Sequence, residues 1–118
     1  MPCINFKKQF AGVVENGLKT QTIRKIRKRP IRIGDTLQLY TGMRTKKCRK
    51  LMTAVAIDIK TIVIDQTIVM IDGNQIDSYD VGRLARADGF HSICEFKDFF
   101  NSHYGLPFVG QLINWRPL

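Results

Sequence analysis

The 118-residue chain is long enough for one domain with a real core and too short for two ordinary ones. Its 44% hydrophobic and 25% charged residues are the balance of a globular protein rather than a disordered one, and no apolar run approaches the roughly 18 residues that cross a membrane. The formal net charge is +9, unevenly spread: residues 1–50 hold 14 Lys and Arg against two acids, residues 51–118 hold 5 against eight. So steep a split predicts a positive face with a polyanionic partner, nucleic acid ahead of an anionic membrane, since no apolar amphipathic helix accompanies the charge. The N-terminus MPCINFKKQF lacks a signal-peptide pattern, and Cys3, Cys48 and Cys94 are odd in number and far apart. The expectation is a soluble cytoplasmic protein with three reduced thiols. His91 and His103 add no metal-ligand spacing, so neither a metal nor a cofactor is expected.

In chain order, Ile4–Phe6 reads as a short strand. Phe10, Val13 and Val14 recur at helical spacing, and Gly17 follows as a helix terminator. Leu18 to Arg24 alternates Thr20, Thr22 and Arg24 in a strand-like pattern. Arg24–Arg32 reads as a loop or strand end broken by Pro30, and Gly34-Asp35 turns into a strand over Thr36–Thr41. Met43–Lys50 reads as an exposed basic loop. Val55, Ile57 and Ile59 then alternate with Ala56, Asp58 and Lys60 as one apolar strand face, and Asp72-Gly73 marks a hairpin. DVGRLARADGF predicts a short helix closed at Gly89. Ser92-Ile-Cys-Glu95 is a capping box opening a helix with the stripe Ile93, Phe96, Phe100 and Tyr104, ended at Gly105. Val109–Trp115 reads as a closing strand. The order predicts an α+β domain spanning 1–118, its mostly antiparallel sheet curled into a small barrel with short flanking helices.

The stretch GLKTQTIR is the most specific in the chain. Its Gly17, Lys19, Thr20, Thr22 and Arg24, followed by Gly34-Asp35 and LQLY, resemble the ASCH domain, a small barrel of the PUA-like superfamily. ARADGFHSICEFKDFF and the closing LINW resemble that family's C-terminal segment, so the likeness spans most of the chain. It implies a fold more firmly than a function. Some ASCH domains look like RNA-binding modules; one bacterial branch comprises amidohydrolases that deacetylate N4-acetylcytidine, and ribonuclease activity has also been ascribed to the group. In the amidohydrolase branch a lysine, a threonine and a glutamate carry catalysis. The resemblance places the first two at Lys19 and Thr22, and the third at or beside Asp88, one methylene shorter here.

On chemical grounds Thr22 would be the nucleophile, Lys19 its base once burial or neighbouring cations lower its pKa, and Asp88 the proton donor or water-orienting carboxylate. In a regular strand Lys19 and Thr22 would point to opposite faces, so they converge only if Lys19 lies in the turn after Gly17 or a bulge intervenes. The bland reading is a surface lysine beside two sheet-stabilising threonines.

RKIRKRPIR carries six positive charges in nine positions and RTKKCRK five in seven. If both border one cleft, they make a phosphate-binding rim that confers affinity without sequence information. The candidate binding residues are Thr20, Arg24, Lys25, Arg27, Lys28, Arg29, Arg32, Tyr40, Arg44, Lys46 and Lys47. Tyr40, Phe90 and Trp115 are candidate stacking surfaces for an unpaired base, with a core role favoured for the last two. The leading expectation is an ASCH domain holding RNA or another single-stranded nucleic acid in a basic cleft. The alternative is a hydrolase of the same family, acting on a modified nucleoside or on RNA.

Overall fold

Strand β1 (Cys3–Phe6) opens the chain in a computed structural model that describes residues 1–118. Helix α1 (Lys8–Glu15) buries Phe10, Ala11 and Val14 on one side. Gly17, at φ +78°, then reverses the chain, where a glycine avoids the steric penalty of a side chain. The amides of Leu18 and Lys19 both bond back to the Val13 carbonyl, so this segment is a turn, and β2 (Gln21–Lys25) begins later than the alternation at Leu18 suggests. β3 covers Thr36–Thr41 as expected, while β4 (Arg49–Ile64) starts inside the segment read as a loop. β5 (Val69–Ile71) and β6 (Asn74–Gln75) form the expected hairpin, with Asp72 and Gly73 both at positive φ. Helices α2 (Ser78–Ala87) and α3 (Ile93–His103) precede β7 (Phe108–Pro117). The Ser92 hydroxyl accepts from the Glu95 amide at 3.1 Å, which is the serine half of the capping box.

The 16-residue β4 is the spine. It pairs with β3 through its first part, with β7 from Ala54 to Ile64, and with β5 at its end. β7 in turn pairs with β2, and β3 pairs in parallel with β1; the other ladders are antiparallel. The alternation expected around Val55, Ile57 and Ile59 fails locally. Ala56 faces Trp115 and Asp58 faces Asn114, so Ile57 is an extra residue in a bulge, 49% exposed, and Ala54 and Ala56 face the core instead.

The α+β class and the mostly antiparallel sheet match the sequence reading, but the seven-stranded sheet is not closed into a barrel. The outer strands β1 and β2 share no ladder. Side chains join them instead: the Arg24 guanidinium lies 4.8 Å from the centre of the Phe6 ring, and Arg27 Nη2 donates to the Cys3 carbonyl. With these groups between the edges, the two main chains make no hydrogen bonds to each other.

The core is one cluster of 25 buried apolar residues drawn from the sheet and all three helices. Phe6, Phe96 and Phe100 are essentially inaccessible, and burying each such side chain contributes about 1.5–3 kcal/mol. Phe90 and Trp115 belong to this core, Trp115 edge-on to Phe6. No helix is long and apolar enough to cross a membrane.

Candidate functional site

The gap between β1 and β2 opens into a cavity of about 160 Å³. β1 contributes Asn5 and Phe6, α1 contributes Phe10, and β2 contributes Thr22, Ile23 and Arg24. Lys19 enters from the turn after α1, Asp88 and Phe90 from the segment after α2, and Phe99, Phe100 and His103 from α3, with Lys7 and Tyr104 completing the wall. Because Lys19 lies in a turn rather than in the strand, its side chain and that of Thr22 reach the same space.

Lys19 is 4% exposed, and its Nζ donates to Asp88 Oδ1 at 3.0 Å and to the Asp88 carbonyl at 2.5 Å. Asp88 ends α2, and Gly89, at φ +100°, turns its carbonyl and side chain back toward Lys19. Burial lowers the Lys19 pKa; attraction to Asp88 partly opposes this, and Arg24 reinforces it. Burial raises the Asp88 pKa, with Lys19 and Arg24 opposing. Both shifts push the pair toward sharing its proton.

Thr22 is 4% exposed, and its Oγ1 accepts from Arg24 Nε at 3.0 Å. The hydroxyl proton has no partner within the protein, so a lone pair is engaged while the O–H stays available. Burial also lowers the Arg24 pKa.

Three of the candidate residues, Lys19, Thr22 and Asp88, thus line one cavity with Arg24. Thr20 does not: it is exposed and holds β7 through its carbonyl, which accepts from the Trp115 amide at 3.0 Å. Tyr40, half-buried on β3, also lies outside the cavity. The basic residues form its surroundings. Arg27, Lys28, Arg29 and Arg32 line an open groove against Met1 and Pro2, beside the start of β1. Arg44, Lys46 and Lys47 are exposed on the β3–β4 turn, which is tied to the other end of β1 where the Met43 amide donates to Asn5 Oδ1 at 3.0 Å. Lys25 is exposed at the end of β2. The two basic segments therefore flank one sheet edge, separated by the length of a four-residue strand. None of these cations forms an ion pair.

Of the aromatic lining, the sequence singled out only Phe90, as a candidate stacking surface with a core role favoured. Phe6, Phe10, Phe99 and Tyr104 come from separate segments, and each reads locally as an ordinary core position. His103 was also missed: its ring stacks on Phe99 at 4.1 Å, Nδ1 donates to the Phe99 carbonyl at 2.8 Å, and Nε2 accepts from Lys7 Nζ at 2.6 Å. The only signal for it was its place at the end of the best-marked helix. No three His, Cys, Asp or Glu side chains come together as a metal site needs. No family model, curated protein or solved structure matches the chain.

Proposed function

We propose that the chain is an ASCH-like module that binds single-stranded nucleic acid, RNA foremost, with its sheet edge left open in place of the PUA-like barrel seam. The observation that carries the reading is the cavity mouth between β1 and β2, flanked by a basic segment at each end of β1. Unpaired cations on both sides supply phosphate contacts, and the aromatic-lined cavity offers one unstacked base a place out of water. At about 160 Å³ the cavity is small against the several hundred Å³ typical of whole-ligand pockets, which suits a single ring. Fluorescence anisotropy with a short labelled RNA tests it. Tight binding at low salt, falling steeply as salt rises, is expected; binding that is absent or insensitive to salt rejects it.

A second reading, the amidohydrolase, is favoured by the contact between Lys19 and Asp88 beside Thr22. In it, neutral Lys19 takes the Thr22 proton as Oγ1 attacks the acyl carbon of N4-acetylcytidine. The amine leaves with a proton returned from the Lys19–Asp88 pair, and water then hydrolyses the acyl-threonine to acetate. A buried ion pair adds little stability over apolar residues of equal volume, so its presence in a cavity favours a chemical role. Mass spectrometry of N4-acetylcytidine incubated with wild type and Lys19→Ala decides: cytidine and acetate appearing only with wild type support the reading, and no turnover by wild type removes it.

A further inference from the structure

We infer that the cavity mouth contains a phosphate subsite built from Arg24 and Lys7, so that the unit seated there is a nucleotide rather than a neutral nucleoside. The inference rests on the nucleic-acid reading above and narrows it to a specific ligand group.

The argument begins with the charges of the cavity. Lys7, Lys19 and Arg24 line it, and Asp88 is the one carboxylate that does. Asp88 is engaged by Lys19. Neither Lys7 nor Arg24 forms an ion pair, so the cavity carries an excess of positive charge.

Aromatic faces stand where counter-ions would otherwise be expected. Arg24 lies 4.8 Å from the Phe6 ring centre, Lys19 5.3 Å from Phe10, and Lys7 4.9 Å from Phe99. Such contacts hold a cation weakly and leave its charge unneutralised. A carboxylate in the same place would hold it more firmly and cancel its field. The rings fix the two unpaired cations in position while keeping them available to an anion.

Arg24 is the better placed of the two. Its Nε is taken by Thr22 and its plane by Phe6, which sets the orientation of the guanidinium. Its terminal nitrogens make no hydrogen bond within the protein, and they form the fork that grips two oxygens of a phosphate. Lys7, held by His103 Nε2 at 2.6 Å, adds a second point charge at the rim. A neutral nucleoside would offer the half-buried guanidinium only dipolar acceptors, which offset the loss of water around its charge less fully than a phosphate does.

Calorimetric titration of the full chain at low salt tests this. The probes are the four ribonucleosides, their 5′- and 3′-monophosphates, and dinucleoside monophosphates, whose phosphate is a diester. Binding of at least one phosphorylated probe about tenfold or more tighter than its nucleoside is expected. The monoester and diester arms tell a chain terminus from an internal phosphate. Arg24→Gln should bring nucleotide affinity down to that of the nucleoside measured on the same variant, and Lys7→Gln, at an exposed side chain, should remove part of the phosphate increment. Thermal melting confirms that each variant is folded. Equal affinity for nucleoside and nucleotide, or equal loss of both in Arg24→Gln, overturns the subsite; if short RNA still binds, the broader reading stands without it. No binding of RNA or of any mononucleotide overturns both.

Discussion

Lys19 Nζ sits 3.0 Å from Asp88 Oδ1 although the two residues are 69 positions apart, so the short aspartate carboxylate does reach the lysine. The contact depends on Asp88 being the residue that caps the C-terminal end of α2, its carbonyl and carboxylate both turned to the same ammonium. Asp88→Asn keeps the backbone acceptor but removes the counter-charge, leaving a buried cation uncompensated. Loss of one partner of a buried pair costs about 3–5 kcal/mol, and a value near the lower end is expected because the carbonyl remains. Denaturant unfolding at neutral pH measures it; an unchanged midpoint would mean the pair is not formed in solution.

Removing the other partner makes stability depend on pH. Burial raises the Asp88 pKa, and in Lys19→Met the opposing attraction of the lysine is lost, which raises it further. A carboxyl whose folded pKa lies above its unfolded value binds protons more tightly when folded. Its favourable contribution is complete below the unfolded value of 3.8 and is lost as pH rises through the folded one. Lys19→Met is therefore expected to lose stability relative to wild type as pH rises from about 4 upward through the raised Asp88 pKa. Unfolding midpoints for both proteins across that range check the sign, and a difference that does not vary with pH would show that Asp88 does not titrate there.

Gly89 joins the pair to the core. At φ +100° a side chain is strained, and a Cβ at this position would lie 2.8 Å from Phe10 Cε1 and 2.9 Å from Phe10 Cδ1. Phe10 is 8% exposed and packs edge-on against Phe90, so its ring has little room to withdraw. Gly89→Ala is expected to cost about 1–3 kcal/mol from the backbone alone, with repacking of Phe10 added. The same shift moves the Asp88 carbonyl, so the Lys19 ε-CH₂ resonances should move with it. A variant as stable as wild type, with those resonances unmoved, would contradict this geometry.

The parts of the fold written in local chemistry were legible in the sequence. Gly17, Gly89 and Gly105 end helices at positive φ, Asp72-Gly73 turns the hairpin, and Ser92 caps α3, because each acts on backbone within a few residues of itself. The bulge at Ile57 was not legible, since it answers to the register of β7 more than fifty residues away. The open edge was hidden for a similar reason: whether β1 meets β2 depends on Phe6, Arg24 and Arg27 occupying the space between them. At the site, GLKTQTIR pointed to Lys19 and Thr22, and Asp88 was reached through resemblance. Thr20 was misplaced because strand alternation was begun at Leu18, before the turn had ended. Phe90 apart, the aromatic walls were not legible, because a phenylalanine facing a cavity and one facing a core have the same sequence signature.

The basic rim makes a separate prediction, because its two halves lie at opposite ends of β1 and can be removed independently. Lys28, Arg29 and Arg32 are exposed and unpaired, as are Arg44, Lys46 and Lys47, so neutralising either set should leave folding unchanged. Arg27 is kept, since its guanidinium holds the Cys3 carbonyl. For single strands, removing one cation that neutralises a phosphate should flatten the log–log salt slope of RNA binding by about 0.7. If one strand runs along the whole edge, Lys28→Gln/Arg29→Gln/Arg32→Gln and Arg44→Gln/Lys46→Gln/Lys47→Gln should each flatten the slope, and the combined variant should flatten it by their sum. A slope altered by only one set would confine the strand to one end of β1. A slope altered by neither would leave the positive face as solvated surface and place recognition in the cavity alone.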